Sequence, residues 1–189
     1  MPPRPAPGSP APEGPPASAS ARWWRPSPAL PAWADPATLP RIRLKDDPGT
    51  LPAGPTGHLL TMPAMSAPGA VRPGVPLAVA VLDAADLAEF GWGLFQRWQN
   101  AGAPAKEKWA LDALGLVGDD ETVRRLTPVI RAWPGERGHR KAVAGLDVPA
   151  SIGTGVALMH LHGIAQRVTF KGLKDRAVDR IAEVADAMG

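Results

Sequence analysis

Apolar residues recur at helical spacing through the second half of the chain. Leu87, Phe90, Leu94, Phe95 and Trp98 form one apolar face and predict a helix over about 84–100. Asp83 is placed to cap it, with Asp86 three residues on, close to a capping box. Gly91 and Gly93 each cost this helix about 1 kcal/mol relative to Ala, so they mark the close approach of a neighbour; Gly102 supplies the stop. A second helix starts at Pro104, carries Trp109, Ala110, Leu111 and Leu114, and ends between Gly115 and Gly118. A third starts at Asp119 or Asp120, with Val123, Leu126, Ile130 and Trp133 inward and a kink expected at Pro128; Pro134-Gly135 ends it. A fourth covers about 136–152, with Val143, Leu146 and Ile152 inward and a bend or split at Pro149. Thr154 caps a fifth, which holds Val156, Leu158, Leu161 and Ile164. A sixth, from about Gly172, holds Leu173, Ala177, Ile181 and Val184, with Lys171, Lys174, Asp175, Arg176, Asp179 and Arg180 on a solvated face.

The first half follows a different physics. Residues 1–82 contain 20 of the 24 prolines, and a residue with fixed φ and no N–H works against both helix and central strand at that density. Residues 1–20 have almost nothing large and apolar to bury and read as a disordered or polyproline II tail. Residues 21–82 read as an extended, partly ordered lead-in. Its Trp23, Trp24, Trp33, Leu39, Ile42 and Leu44 would drape over the helical part. For Trp23 and Trp24 the alternatives are packing against a larger body and an exposed docking motif. The run Pro76–Leu82 fits either a helix start or a buried strand, because periodicity does not separate these for so short a segment.

An offset of 35 superimposes two stretches. Leu111 maps to Leu146, Val117 to Ile152, Gly118 to Gly153, Asp119 to Thr154, Val123 to Leu158 and Leu126 to Leu161. Each pair keeps its role as core aliphatic, turn glycine or cap. A fixed period in this range marks stacked helical hairpins, so the fold class expected is all-α, HEAT-like hairpin repeats over 83–189 forming an α-solenoid fragment behind a Pro-rich, largely irregular N-terminal region. The competing reading is a compact bundle with similar hairpins. A third copy would place Leu146 on Ile181 and Gly153 on Met188, so the chain is expected to stop within a repeat.

The run Trp109–Leu126 (WALDALGLVGDDETVRRL) resembles the HEAT-like repeat of phycobilin lyases and bacterial scaffolds. Leu87–Phe90, Ala103–Trp109, Ala132–Glu136 and Gly163–Leu173 resemble a bacterial family of uncharacterised proteins that includes the molybdate metabolism regulator and often carries a Trp-Gly-Arg (WGR) domain. The resemblance covers about residues 20–189 and implies an interior HEAT-like segment of a longer protein, with no catalytic residues to carry over. Pro149 stands where the family tends to have an aliphatic residue. Gly91-Trp92-Gly93 is part of a helix and not the WGR motif, so that domain's nucleic-acid role does not transfer.

Composition narrows the chemistry. The absence of Cys removes disulfides, thiolate metal sites and Cys nucleophiles. No membrane-length apolar run is present; Arg4 has no apolar run behind it, so no secretory signal is expected, and a cytoplasmic location is expected. His160 and His162 are two apart and lack the helical ligand spacing of three or four; Asp119-Asp120-Glu121 reads as a helix start. There is no phosphate loop and no Gly-x-Ser-x-Gly elbow, so neither a cofactor nor a catalytic site is expected.

The remaining candidate is an interaction ridge on the second helix of each hairpin. The 35-residue offset pairs Arg125 with His160 and Arg131 with Gln166, with Arg167 following; the alternative is an ordinary solvated helix face. The expected function is a non-catalytic protein-interaction scaffold segment of a larger multidomain protein, its partner another protein or the remainder of a longer chain. One alternative is a nucleic-acid-associated module, which the balance of 14 Lys/Arg against 14 Asp/Glu in 83–189 disfavours. Another is a lyase sharing the repeat, which similarity of repeats alone does not establish.

Overall fold

The computed structural model describes residues 29–66 and 71–189. The predictions for residues 1–20 and for Trp23 and Trp24 lie outside the described residues. The described chain is mostly helical. A short 3-10 turn (Pro36–Thr38) precedes a two-stranded antiparallel hairpin of β1 (Arg43–Leu44) and β2 (Asp47–Thr50). The helices follow in order: α1 (Ala53–Ala64), α2 (Gly74–Val81), α3 (Ala84–Asn100), α4 (Trp109–Val117), α5 (Asp120–Ala132), α6 (His139–Gly145), α7 (Asp147–Ile152), α8 (Gly155–Arg167) and α9 (Lys171–Met188). Among the described residues, no helix is long and apolar enough to cross a membrane.

The lead-in is more helical than its proline content implies. Pro55 in α1 and Pro76 in α2 lie in the first turn, where an N–H has no intrahelical acceptor, so both helices tolerate them. Pro63 is the penultimate residue of α1 and costs only an end bond. The Pro76–Leu82 run is therefore helical up to Val81. Leu82 leaves in extended conformation and bridges to Leu44. The lead-in and the later helices share one core. Ala34, Leu39, Ile42, Leu59 and Leu60 are buried in the same cluster as Phe95, Trp98, Leu114 and Leu126. Trp33 stacks on Trp109 with centroids 5.7 Å apart, and its Nε1 donates to Glu107 at 2.7 Å.

α3 begins and ends as its pattern predicts. Asp83 accepts from the Asp86 amide at 3.0 Å, and Leu87, Phe90, Leu94, Phe95 and Trp98 are all buried. Asp86 does not complete a capping box, because its carboxylate is held by Arg43. A Cβ on Gly91 would lie 2.6 Å from Val117 Cγ2, so α3 approaches α4 closely there. Pro104 does not open α4 directly; a 3-10 turn over Ala105–Glu107 intervenes before Trp109.

α5 has the reciprocal cap that α3 lacks. The Asp119 carboxylate accepts from the Thr122 amide at 2.8 Å, and the Thr122 hydroxyl accepts from the Asp119 amide at 3.2 Å. α5 continues through Pro128 to Ala132. The predicted helix over 136–152 is split. Its first residues finish a 3-10 turn (Trp133–Glu136), and the remainder divides into α6 and α7 at Leu146. Pro149 supplies no N–H for the Gly145 carbonyl, and the break falls beside that carbonyl.

α4 packs on α7, α5 on α8, and α9 on α6, α7 and α8. Residues 35 apart occupy matching places: Leu111 and Leu146 are fully buried, as are Leu126 and Leu161, and Asp119 and Thr154 both cap. The paired glycines serve different ends. Gly153 has φ +67°, whereas Gly118 has ordinary φ but would put a Cβ 2.4 Å from the Leu114 carbonyl oxygen.

Candidate functional site: a cationic groove

α5 and α8 run side by side with their starts at the same end. The Thr154 hydroxyl donates to Asp120 Oδ1 at 2.5 Å, joining the two N-termini. Seven residues into α5, Thr127 Oγ1 meets His160 Nδ1 at 2.8 Å. The single Thr127 hydroxyl proton goes back to the Val123 carbonyl, 2.8 Å away. His160 Nδ1 is then the donor of the pair, and Nε2 is the nitrogen left for solvent or a ligand.

Between these helices lies an open groove of about 350 Å³, lined by Arg124, Thr127, Pro128, Arg131, Met159, His160, Gly163 and Arg167. Among the described residues no carboxylate lines it. Arg124 also touches Glu121 at 3.3 Å, but Arg131 and Arg167 have no ion-pair partner among the described residues. Gly163 leaves the groove open at mid-length: a Cβ there would meet nothing within 4 Å.

Of the five ridge candidates, the fold brings three together: Arg131, His160 and Arg167. Arg125 is drawn away. It pairs with Glu89 of α3, and its guanidinium sits 4.3 Å over the Trp92 ring. The reason is angular: one residue on a helix is a turn of about 100°, so Arg124 faces α8 while its neighbour faces α3. Gln166 is exposed and does not line the groove. The pairing by 35 residues misses the lateral contact, which joins 127 to 160, an offset of 33. Arg124 and Thr127 join the lining without lying on the predicted ridge. Their spacing to Arg131, seven and four, was the available signal.

A second cleft, of about 280 Å³, is lined by Asp112, Asp147, Ser151, Arg176 and Arg180, together with Pro63, Ser66 and Val71. Arg176 and Arg180 are thus not part of a solvated face. Arg176 Nη2 lies 3.2 Å from Asp147 Oδ1, and Arg180 Nε lies 3.3 Å from the same oxygen, off the hydrogen-bond direction. Lys108 pairs with Asp112. The charges of this cleft neutralise one another, whereas those of the groove do not. Elsewhere Asp119, Asp120 and Glu121 are engaged as helix-start groups. No cluster of three potential metal ligands occurs among the described residues.

The chain is similar to "Uncharacterized protein YehI" of Escherichia coli (strain K12). The two are 46% identical over 103 residues, which is 54% of this chain and 8% of that protein. The chain therefore spans a small fraction of the relative's length. No family model matches the chain, and no solved structure matches it.

Proposed function

We propose that the helical part of this chain is a HEAT-like α-solenoid segment that works as a non-catalytic protein-binding scaffold, with the α5–α8 groove as its binding face. The observation that carries this reading is the groove itself, a channel between α5 and α8 in which Arg131 and Arg167 have no counter-charge among the described residues. The stacking of α4 on α7 and α5 on α8, with caps and core leucines repeating every 35 residues, supports the solenoid. The similarity to a small part of a much longer bacterial protein supports a segment that acts within a larger assembly.

The test is site-specific photo-crosslinking of the full chain in cells of its source, with the crosslinker at Gly163 in the groove or at exposed Lys174 on α9. The expected result is a defined protein adduct from position 163 and none from 174. Equal labelling from both positions, or no protein adduct from 163, defeats the reading.

The cationic lining favours a nucleic-acid-associated module as second reading. Such binding would weaken steeply with salt in a mobility-shift titration, and absence of any shift at low salt removes it.

A further inference from the structure

We propose that the α5–α8 groove binds an extended, carboxylate-rich peptide segment of a partner protein; this names the partner chemistry of the scaffold reading above and rests on it. Thr127 and His160 stand level across the groove. Taking that contact as the common height and a rise of about 1.5 Å per residue, the nitrogen-bearing side chains alternate between the two walls. Arg124 lies about 4.5 Å below the contact, Arg131 about 6 Å above it and Arg167 about 10.5 Å above it. Arg124, His160, Arg131 and Arg167 thus form a staggered ladder spanning about 15 Å, the length of about five residues of extended chain.

The chemistry of the lining selects among anions. Arg131 and Arg167 offer planar, forked donors matched to carboxylates and carry no counter-charge among the described residues. With Nδ1 donating to Thr127, Nε2 of His160 can accept from a peptide N–H, while Pro128, Met159 and the open space over Gly163 accept apolar side-chain stems. A single-stranded nucleic acid would want aromatic platforms for its bases, and neither Trp nor Phe lines the groove. The equal numbers of acidic and basic residues over 83–189 keep the charge local to the groove, which fits a short acidic segment better than a polyelectrolyte.

The experiment is fluorescence anisotropy with the full chain and a labelled decapeptide of alternating Glu and Ser. The controls are the same peptide with Lys for Glu and an oligothymidylate of equal charge. The Glu peptide is expected to bind, the Lys peptide not to. The double variant Arg131→Glu/Arg167→Glu is expected to weaken binding by about tenfold, because it turns two exposed attractions into repulsions. Gly163→Leu should also weaken it, by filling the groove from a position that packs against nothing; circular dichroism and melting of each variant confirm that the fold is kept. The proposal is overturned if the Glu peptide binds no better than the Lys peptide, if neither variant changes its affinity, or if the oligothymidylate displaces it. Loss of peptide binding alongside a retained crosslink at position 163 would overturn the peptide chemistry and leave the scaffold reading standing.

Discussion

The hydroxyl of Thr154 donates to the carboxylate of Asp120 across 2.5 Å, so the cap of α8 is bonded to the first residue of α5, 34 positions earlier. The same hydroxyl oxygen accepts from the Ala157 amide at 3.2 Å. Thr154→Ala removes both a cap and an inter-helix bond, and should destabilise the chain by about 1–2 kcal/mol in urea unfolding. Thr154→Ser should restore most of it. An equal loss in both variants would mean that the methyl group, not the hydroxyl, matters.

Gly91 is where α3 meets α4. Gly91→Ala would gain about 1 kcal/mol of helix propensity on an isolated helix, yet its Cβ would fall 2.6 Å from Val117 Cγ2 inside the core. Overpacking should win, with a net loss of about 1–2 kcal/mol. Val117→Ala in the same chain should recover part of it. Additive losses in the double-mutant cycle would show that the contact is not the cause.

Leu126 and Leu161 are both fully buried and stand 35 apart. Each should cost about 2–5 kcal/mol as Ala, with the spread set by how far the surroundings collapse. A change at either position below 1 kcal/mol, roughly the cost of a tolerated core swap, would contradict the packing. Chemical denaturation with fixed-slope analysis reads both.

Arg43 reaches from β1 to the first turn of α3. Its Nε lies 2.6 Å and its Nη2 2.9 Å from the Asp86 carboxylate, which also accepts the Arg43 amide at 3.0 Å. These hydrogen bonds from the Arg43 side chain, then from its amide, hold Asp86 below its ordinary value of 3.8. A carboxyl depressed in the folded state contributes stability that is present above that ordinary value and is lost as pH falls through the lower folded value. Asp86→Asn should therefore flatten the acid limb of the stability–pH curve and leave the neutral region less affected. Because Arg43 is more than half exposed, the effect should be small and should shrink in high salt. An unchanged acid limb would remove Asp86 from the account.

Helix faces were legible because burial selects apolar residues at a period the helix dictates. Leu87, Phe90, Leu94, Phe95 and Trp98 are as buried as their spacing implies. Caps were legible for a similar reason: Asp83, Asp119 and Thr154 each satisfy the amide three residues ahead, a strictly local contact. The lead-in was not, because proline count says nothing about proline position. Pro55 and Pro76 fall in first turns where they cost little, and α1 and α2 form around them. The candidate site was legible in part. Arg131, His160 and Arg167 could be named from the repeat, but the choice of Arg124 over Arg125 depends on which flank of α5 meets α8 and which meets Glu89 and Trp92 of α3.

By itself the sequence determined what short-range physics controls: over the second half of the chain, where the side-chain-capped helices start, which side of them is apolar, and that two stretches share a 35-residue pattern. The lateral register of those hairpins was decided by tertiary packing, through the Thr154–Asp120 and Thr127–His160 contacts, because side chains 33 and 34 residues apart meet only after the helices have docked. Packing likewise sets which arginines are neutralised, as Arg176 and Arg180 are by Asp147 and Glu183, and which, as Arg131 and Arg167, are left facing an open groove.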